Sequence, residues 1–271
     1  GIGADMSRYV VFTFDDGRYD TYSNAAAILA EYGFTATIFV TTGYVDGTLR
    51  DTKSFRKSSS GAMTIANLLE LRKRGFEIAS HSDRHSNGFE DIRLCIEKLK
   101  AWKLSSGNIG FSSPYSQIQA IGDNEEAAFR SLGIAYVRTA PKIKGKPLFY
   151  IALWGVQGIT HSRSLFKRLN RGNVGKIEDL GYLIPSVTIR NTTTVGEIRA
   201  LLRSVEDGES VVLTFHSITD NQEYLGNTWA FGSDKFRELC DFVARNREYE
   251  VLTLKQAVDM GETLKAVKGN S

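Results

Sequence analysis

Short, continuous apolar runs alternate along this chain with longer segments whose apolar positions recur every three or four residues. The runs Tyr9–Phe14, Ala36–Val40, Phe76–Ala79, Ile109–Phe111, Ile134–Val137, Val211–Phe215 and Val251–Thr253 are rich in β-branched and aromatic residues. They read as strands buried on both faces. Between them, helical spacing predicts helices over Tyr22–Tyr32, from Met63-Thr64 through Leu71, from Ile92 to Trp102, over Glu125–Leu132 and Phe236–Arg245, and finally over Lys255–Met260. Strand–helix alternation over one continuous stretch implies a parallel sheet, which right-handed crossovers curl toward a barrel. Two regions stand outside this rhythm. Gly43–Gly61 is a polar loop rich in Gly, Ser, Lys and Arg. Pro141–Asn191 carries strand-like Phe149–Trp154 and Ser186–Ile189 around a Lys/Arg/Asn/Gly-rich stretch. The second reads as an elaboration (residues 141–191) on a single domain spanning 1–271, with its core at about 9–260.

Composition narrows the function more than the fold. The 271 residues are 42% hydrophobic and 24% charged, ordinary for a globular protein. Lys and Arg number 34 against 31 Asp and Glu, a net +3. No basic run is interleaved with aromatics, so a nucleic-acid partner is not expected. No run approaches the ~18 apolar residues of a membrane span. No charged-then-apolar leader is visible, so a cytoplasmic location is the expectation unless the N-terminus has been trimmed. Cys95 and Cys240 lie in helical segments without metal spacing and read as buried free thiols.

The chemistry lies at the ends of the strands. The first strand stops at Asp15-Asp16-Gly17, where Gly17 frees the backbone for a tight turn. Carboxylates at the carboxyl end of a buried parallel strand sit where α/β folds place active sites; alone, the pair also fits a solvated turn. The third strand ends at His81, with His85 four residues on. That spacing on one helical turn puts both imidazoles on one side, within reach of one ion; two surface or capping histidines are the plainer alternative. Together the two strand ends offer a carboxylate and two imidazoles, a three-ligand set with open positions, as catalytic zinc requires. His216 closes Val211–Phe215 and reads as a general acid across the barrel mouth, or as a structural strand cap. His161 lies in the irregular region and reads as surface or substrate-contacting.

Thr13-Phe14-Asp15-Asp16-Gly17, His81-Ser82-Asp83-Arg84-His85 and Leu213-Thr214-Phe215-His216 resemble, in order and spacing, the signature motifs of NodB-type polysaccharide deacetylases, carbohydrate esterase family four. The resemblance runs from about Tyr9 to Met260. It implies a distorted (β/α) barrel of seven or eight strands and a divalent metal, zinc first, with cobalt, nickel, manganese or iron as alternates. It makes Asp16, His81 and His85 the metal ligands, Asp15 the catalytic base and His216 the acid that protonates the leaving amine. The family's Arg-x-Pro-Tyr motif corresponds to Ser112-Ser113-Pro114-Tyr115. Pro114 and Tyr115 keep their places, the Tyr115 backbone N–H serving the oxyanion. Ser112 stands where the family carries the arginine that tethers the base, and no fourth motif with that arginine's acidic partner is evident. Trp154 is the best sequence candidate for a hydrophobic wall beside the acid.

The function this implies is metal-dependent removal of N-acetyl groups from an amino-sugar oligosaccharide or polysaccharide. An O-acetyl esterase or a non-sugar amidase on the same scaffold is one alternative. A degenerate carbohydrate-binding protein is another, suggested by the missing arginine and the missing fourth motif. An α/β barrel with unrelated strand-end residues is the plainest.

Overall fold

The computed structural model describes residues 7–49, 61–220 and 227–270. Each short apolar run becomes a strand, because parallel strands covered on both faces need apolar side chains on both. The chain runs β1 (Arg8–Phe14), a π-helical turn Thr21–Ala26 continuing into α1 (Ala27–Glu31), β2 (Thr37–Val40), α2 (Thr42–Val45), α3 (Ile65–Lys73), β3 (Glu77–Ser80), α4 (Phe89–Ala101), β4 (Ile109–Ser112), α5 (Asp123–Ser131) and β5 (Ile134–Thr139). There follow α6 (Leu148–Thr160), α7 (Arg163–Asn170), β6 (Val174–Lys176), β7 (Leu183–Pro185), β8 (Val187–Thr188), α8 (Val195–Arg203), β9 (Glu209–Phe215), β10 (Ser217–Thr219), β11 (Ala230–Gly232), α9 (Ser233–Arg245), β12 (Tyr249–Leu252) and α10 (Leu254–Gly269). Helix starts follow local chemistry: Thr64, Thr194 and Thr253 each cap a helix reciprocally with the residue three positions on.

Ten strands form one sheet in the order β6-β9-β1-β2-β3-β4-β5-β7, with β12 also on β1 and β8 also on β9. The pairs are parallel except β6–β9. Its two flanks meet through one short segment. β7 lies on β5 and β8 on β9, with only Ser186 between them. Ser186 Oγ donates to Thr139 O at 2.9 Å and accepts from Thr214 Oγ1 at 2.7 Å. The sheet therefore curls as the NodB-type fold does. Inside and beneath it Phe12, Phe14, Phe215 and Phe236 pack as a buried aromatic group. Cys95 and Cys240 are free and buried, and burial pushes the Cys95 thiol up to about 11.

Four expectations need correction. Phe149–Trp154 is not a strand but part of α6, since an apolar run without alternation is compatible with either state and the length here favours a helix. The strand expected over Ser186–Ile189 shrinks to β8. His81 and His85 do not share a helical turn: residues 81–88 form bends between β3 and α4. The polar loop expected over Gly43–Gly61 opens as α2, and its residues 50–60 lie outside the described residues.

Candidate active site

Parallel register brings the strand ends to one level. Phe14 pairs with Phe215, so Asp15 and His216 leave adjacent strands together, and Asp15 N donates to Phe215 O at 3.0 Å. Val40 pairs with Ser80, and His81 N donates to Val40 O at 2.9 Å. Ser80 pairs with Phe111, and Ser112 with Arg138. Asp15, His216, His81, Ser112 and Arg138 thus stand along one rim of the sheet.

The local backbone separates the two aspartates. Asp16 adopts φ 82° and Gly17 φ 87°, an uncommon left-handed conformation for a non-glycine residue. It turns Asp16 away from Asp15. The histidine loop uses the same device at Ser82 (φ 64°) and His85 (φ 58°), and this reversal, rather than a helix, folds His85 back beside His81. The loop is fixed by its own polar groups. Asp83 accepts from Thr42 Oγ1 and Lys98 Nζ, both at 2.7 Å. The Asp91 carboxylate accepts from the backbone N–H of Arg84 and Ser86.

Asp16, His81 and His85 converge, with one ligand atom from each lying within 4.8 Å of the others. Nε2 of His81 and of His85 lie 3.4 and 3.6 Å from Asp16 Oδ1. Asp16 Oδ2 is engaged by Arg18 Nε at 2.9 Å, leaving Oδ1 to face the imidazoles. His81 Nδ1 lies 2.9 Å from Ser112 O and 2.6 Å from Ser112 Oγ. Donation to the carbonyl assigns the proton to Nδ1 and turns the Nε2 lone pair inward, the usual support for a metal-binding histidine. The donor set therefore suits a divalent cation. Burial alone would raise the Asp16 carboxyl, but Arg18 and His81 hold it well below the usual range. Burial, then the neighbouring His81, lowers His85 to about 4, so it offers a neutral nitrogen.

Asp15 is buried, and its Oδ2 takes an ion pair from Arg138 Nη2 at 2.7 Å. Arg138 is only 1% exposed, packs over Phe39 and also donates to Thr214 Oγ1. Burial pushes the Asp15 carboxyl up, yet Arg138 and the two histidines His81 and His216 hold it below its ordinary value. Asp15 Oδ1 accepts no hydrogen bond among the described residues. His216 Nε2 lies 3.8 Å from Asp15 Oδ2, and its Nδ1 is buried without a hydrogen-bond partner among them. Burial lowers the His216 pKa despite both carboxylates.

Pro114 is buried, and Tyr115 (φ 58°) projects its ring outward, edge-on to His85 at 4.6 Å. Trp154 lies on α6 with its ring against Tyr150. The indole beside His216 is that of Trp229, 5.0 Å between ring centres. His161 binds the buried Glu197 through Nδ1 at 3.0 Å. The sequence reasoning missed Arg138, Arg18 and Trp229. Arg138 carried a signal: a cation directly continuing the buried run Ile134–Val137.

Residues 3–128 match the family model described as polysaccharide deacetylase. No curated protein matches the chain. Among solved structures it is similar to peptidoglycan deacetylase PdaC from Bacillus subtilis, at 14% identity and TM-score 0.50 over 98% of this chain and 96% of that one. It is also similar to the Xyl-CE4 domain of a multidomain xylanase from the hindgut metagenome of Trinervitermes trinervoides, at 19% identity, TM-score 0.49, 94% of this chain and 91% of that one. A third is the family 4 acetyl xylan esterase from Clostridium thermocellum in complex with a cobalt ion, at 17%, 0.46, 93% and 91%. The likeness to PdaC is one of fold. The match over residues 3–128 takes in the Asp15-Asp16 and His81/His85 motifs, and over that stretch the chain is identified as polysaccharide deacetylase-like.

Proposed function

We propose that this protein is a metal-dependent hydrolase that removes N-acetyl groups from an amino-sugar glycan. The observation that carries the reading is the gathering of Asp15, Asp16, His81, His85 and His216 on one rim, with Arg138 on Asp15. A divalent cation, zinc first, would be held by Asp16, His81 and His85, and when bound it supplies Lewis acidity and a lowered water pKa.

The chain's own groups divide the remaining work. Arg138 fixes Asp15 through Oδ2, so the unengaged Oδ1 is the atom that takes a proton from the attacking water. The Tyr115 backbone N–H serves the oxyanion; one such donor is typically worth roughly 3 kcal/mol of barrier. His216, reached from the far side of Asp15, returns a proton to the departing sugar nitrogen. Tyr115 and Trp229 offer surface for the sugar, while the buried Pro114 only shapes the backbone beneath Tyr115, and Trp154 would contribute only to a glycan long enough to reach α6. The degenerate-protein reading rested on the missing arginine and fourth motif; the Arg138–Asp15 pair, which gives Asp15 a buried cation, supports the enzyme reading over it.

One observation favours a second reading. No hydrogen-bond partner among the described residues holds His216 Nδ1, and burial disfavours its protonated form. An amide needs that acid, because an amine anion is a very poor leaving group; an O-acetyl ester needs it less. Acetate release from N-acetylglucosamine oligomers and from acetylated xylan separates the two. Turnover of the oligomers supports deacetylation, and turnover of xylan alone moves the assignment to an esterase. Full activity in Asp15→Asn on either substrate would refute the base assignment.

A further inference from the structure

Helix α6 is built inside out. Its polar contacts point inward: Gln157 donates to the buried Glu197, and His161, at its C-cap, binds the same carboxylate. Its apolar side chains point to solvent. Leu148 is 85% exposed, Phe149 75% and Ile159 84%, with Val156 half exposed. Leu148, Ala152, Val156 and Ile159 fall at i, i+4, i+8 and i+11, one stripe opposite Gln157. An apolar stripe of this kind requires a cover in the working state.

Charge identifies the cover. Between Glu126 and Glu178 the sequence holds ten Lys and Arg and no Asp or Glu, in a protein whose net charge is only +3. Lys142, Lys144 and Lys146, all exposed, lead directly into the helix, which itself carries no charged residue. A second copy placed on this stripe would bring like charges together with no carboxylate in the segment to answer them. An anionic bilayer surface answers both properties, accepting apolar side chains at the headgroup–acyl boundary and lysines at the phosphates. Of the aromatic residues on the helix, the exposed Phe149 suits that boundary. The described helices include none long and apolar enough to cross a membrane, so the contact is one of lying on the surface.

We infer that α6 and its leading lysines dock this protein on an anionic lipid surface, with the apolar stripe entering the headgroup layer. The inference does not depend on the reaction catalysed.

Co-sedimentation of the full chain with vesicles tests it, using phosphatidylcholine alone and phosphatidylcholine with phosphatidylglycerol. Binding is expected to the anionic vesicles and to weaken with salt. Lys142→Gln/Lys144→Gln/Lys146→Gln is expected to lower partitioning about fivefold per lysine, roughly a hundredfold in all. Leu148→Glu/Ile159→Glu is expected to abolish it. All five positions are exposed, so the thermal midpoints are expected to stay at the wild-type value. Absence of vesicle binding, equal binding to both vesicle types, or wild-type binding by either variant overturns the inference. So does a dimer in sedimentation velocity that Leu148→Glu/Ile159→Glu dissociates, which would give the stripe to a second copy.

Discussion

Arg138→Met removes the guanidinium from Asp15 while keeping a long apolar side chain against Phe39. Arg138 and Asp15 are both buried and 2.7 Å apart. Removing one partner of a buried pair leaves an uncompensated charge, at a cost of about 3–5 kcal/mol. The protein can meet that cost by unfolding more easily, by letting Asp15 take up a proton, or by swinging Asp15 out of line. The last two disable the base directly. If half of the penalty falls on the reaction, kcat/KM drops about 10- to 70-fold, and if all of it does the drop is on the order of 10²–10⁴, since each 1.36 kcal/mol is tenfold. The assay is acetate release from whichever acetylated glycan the wild type turns over, with zinc content and thermal midpoint measured on the same preparation. Arg138→Lys should recover part of the loss, because it restores charge without the two-pronged hold on Asp15 and Thr214. Thr214→Val, which removes the second anchor together with the Thr214 Oγ1 bond to Ser186 Oγ, should cost less than tenfold. An Arg138→Met enzyme that holds zinc, folds normally and keeps kcat/KM within threefold of wild type would refute the reasoning.

Three further outcomes follow from the geometry. Asp16→Ala is expected to lose stoichiometric zinc by elemental analysis, and chelation of the wild type to abolish acetate release until a divalent ion is returned. Gly43→Ala places a Cβ 2.4 Å from Asp83 O in the histidine loop; calorimetry should show about 1–3 kcal/mol of lost stability, and zinc affinity should fall with it. Lys98 joins Asp46 and Asp83. Against burial, which raises it, Lys98 and Thr48 hold the Asp46 carboxyl below its ordinary value of 3.8. A depressed carboxylate contributes stability above its unfolded value and loses it as the pH falls through its folded one. The stability gap between wild type and Lys98→Met is therefore expected to be full near neutrality and to narrow below pH 3.8, read from denaturant midpoints.

What could be read from the sequence was whatever one strand or one turn states alone. The strands that carry Asp15, His81 and His216 are continuous apolar runs with an abrupt polar end, and that contrast survives without coordinates. The backbone route that joins His81 to His85 was misread, because a four-residue spacing fits a helical turn as well as a loop reversing at Ser82 and His85. Helix α6 was misread for a different reason. Its apolar run looks like buried structure, and nothing local says that the buried side is the one bearing Gln157.

Arg138 shows why the most consequential piece was hidden. A motif is read along the chain, but a site at the end of a parallel sheet is assembled across it. Ser112 and Arg138 are register partners on neighbouring strands, and adjacent strands lie only about 5 Å apart. An arginine side chain is longer than that gap, so one cation can serve Asp15 from either strand. With the cation on β5, position 112 holds a small residue, and Ser112 Oγ lies 2.6 Å from His81 Nδ1. The two positions are thus coupled: an arginine at 112 would lose the Ser112 Oγ contact to His81, and a serine at 138 would remove the cation from the buried Asp15. Ser112→Arg/Arg138→Ser should accordingly recover more kcat/KM than Arg138→Ser alone while holding zinc less tightly than the wild type.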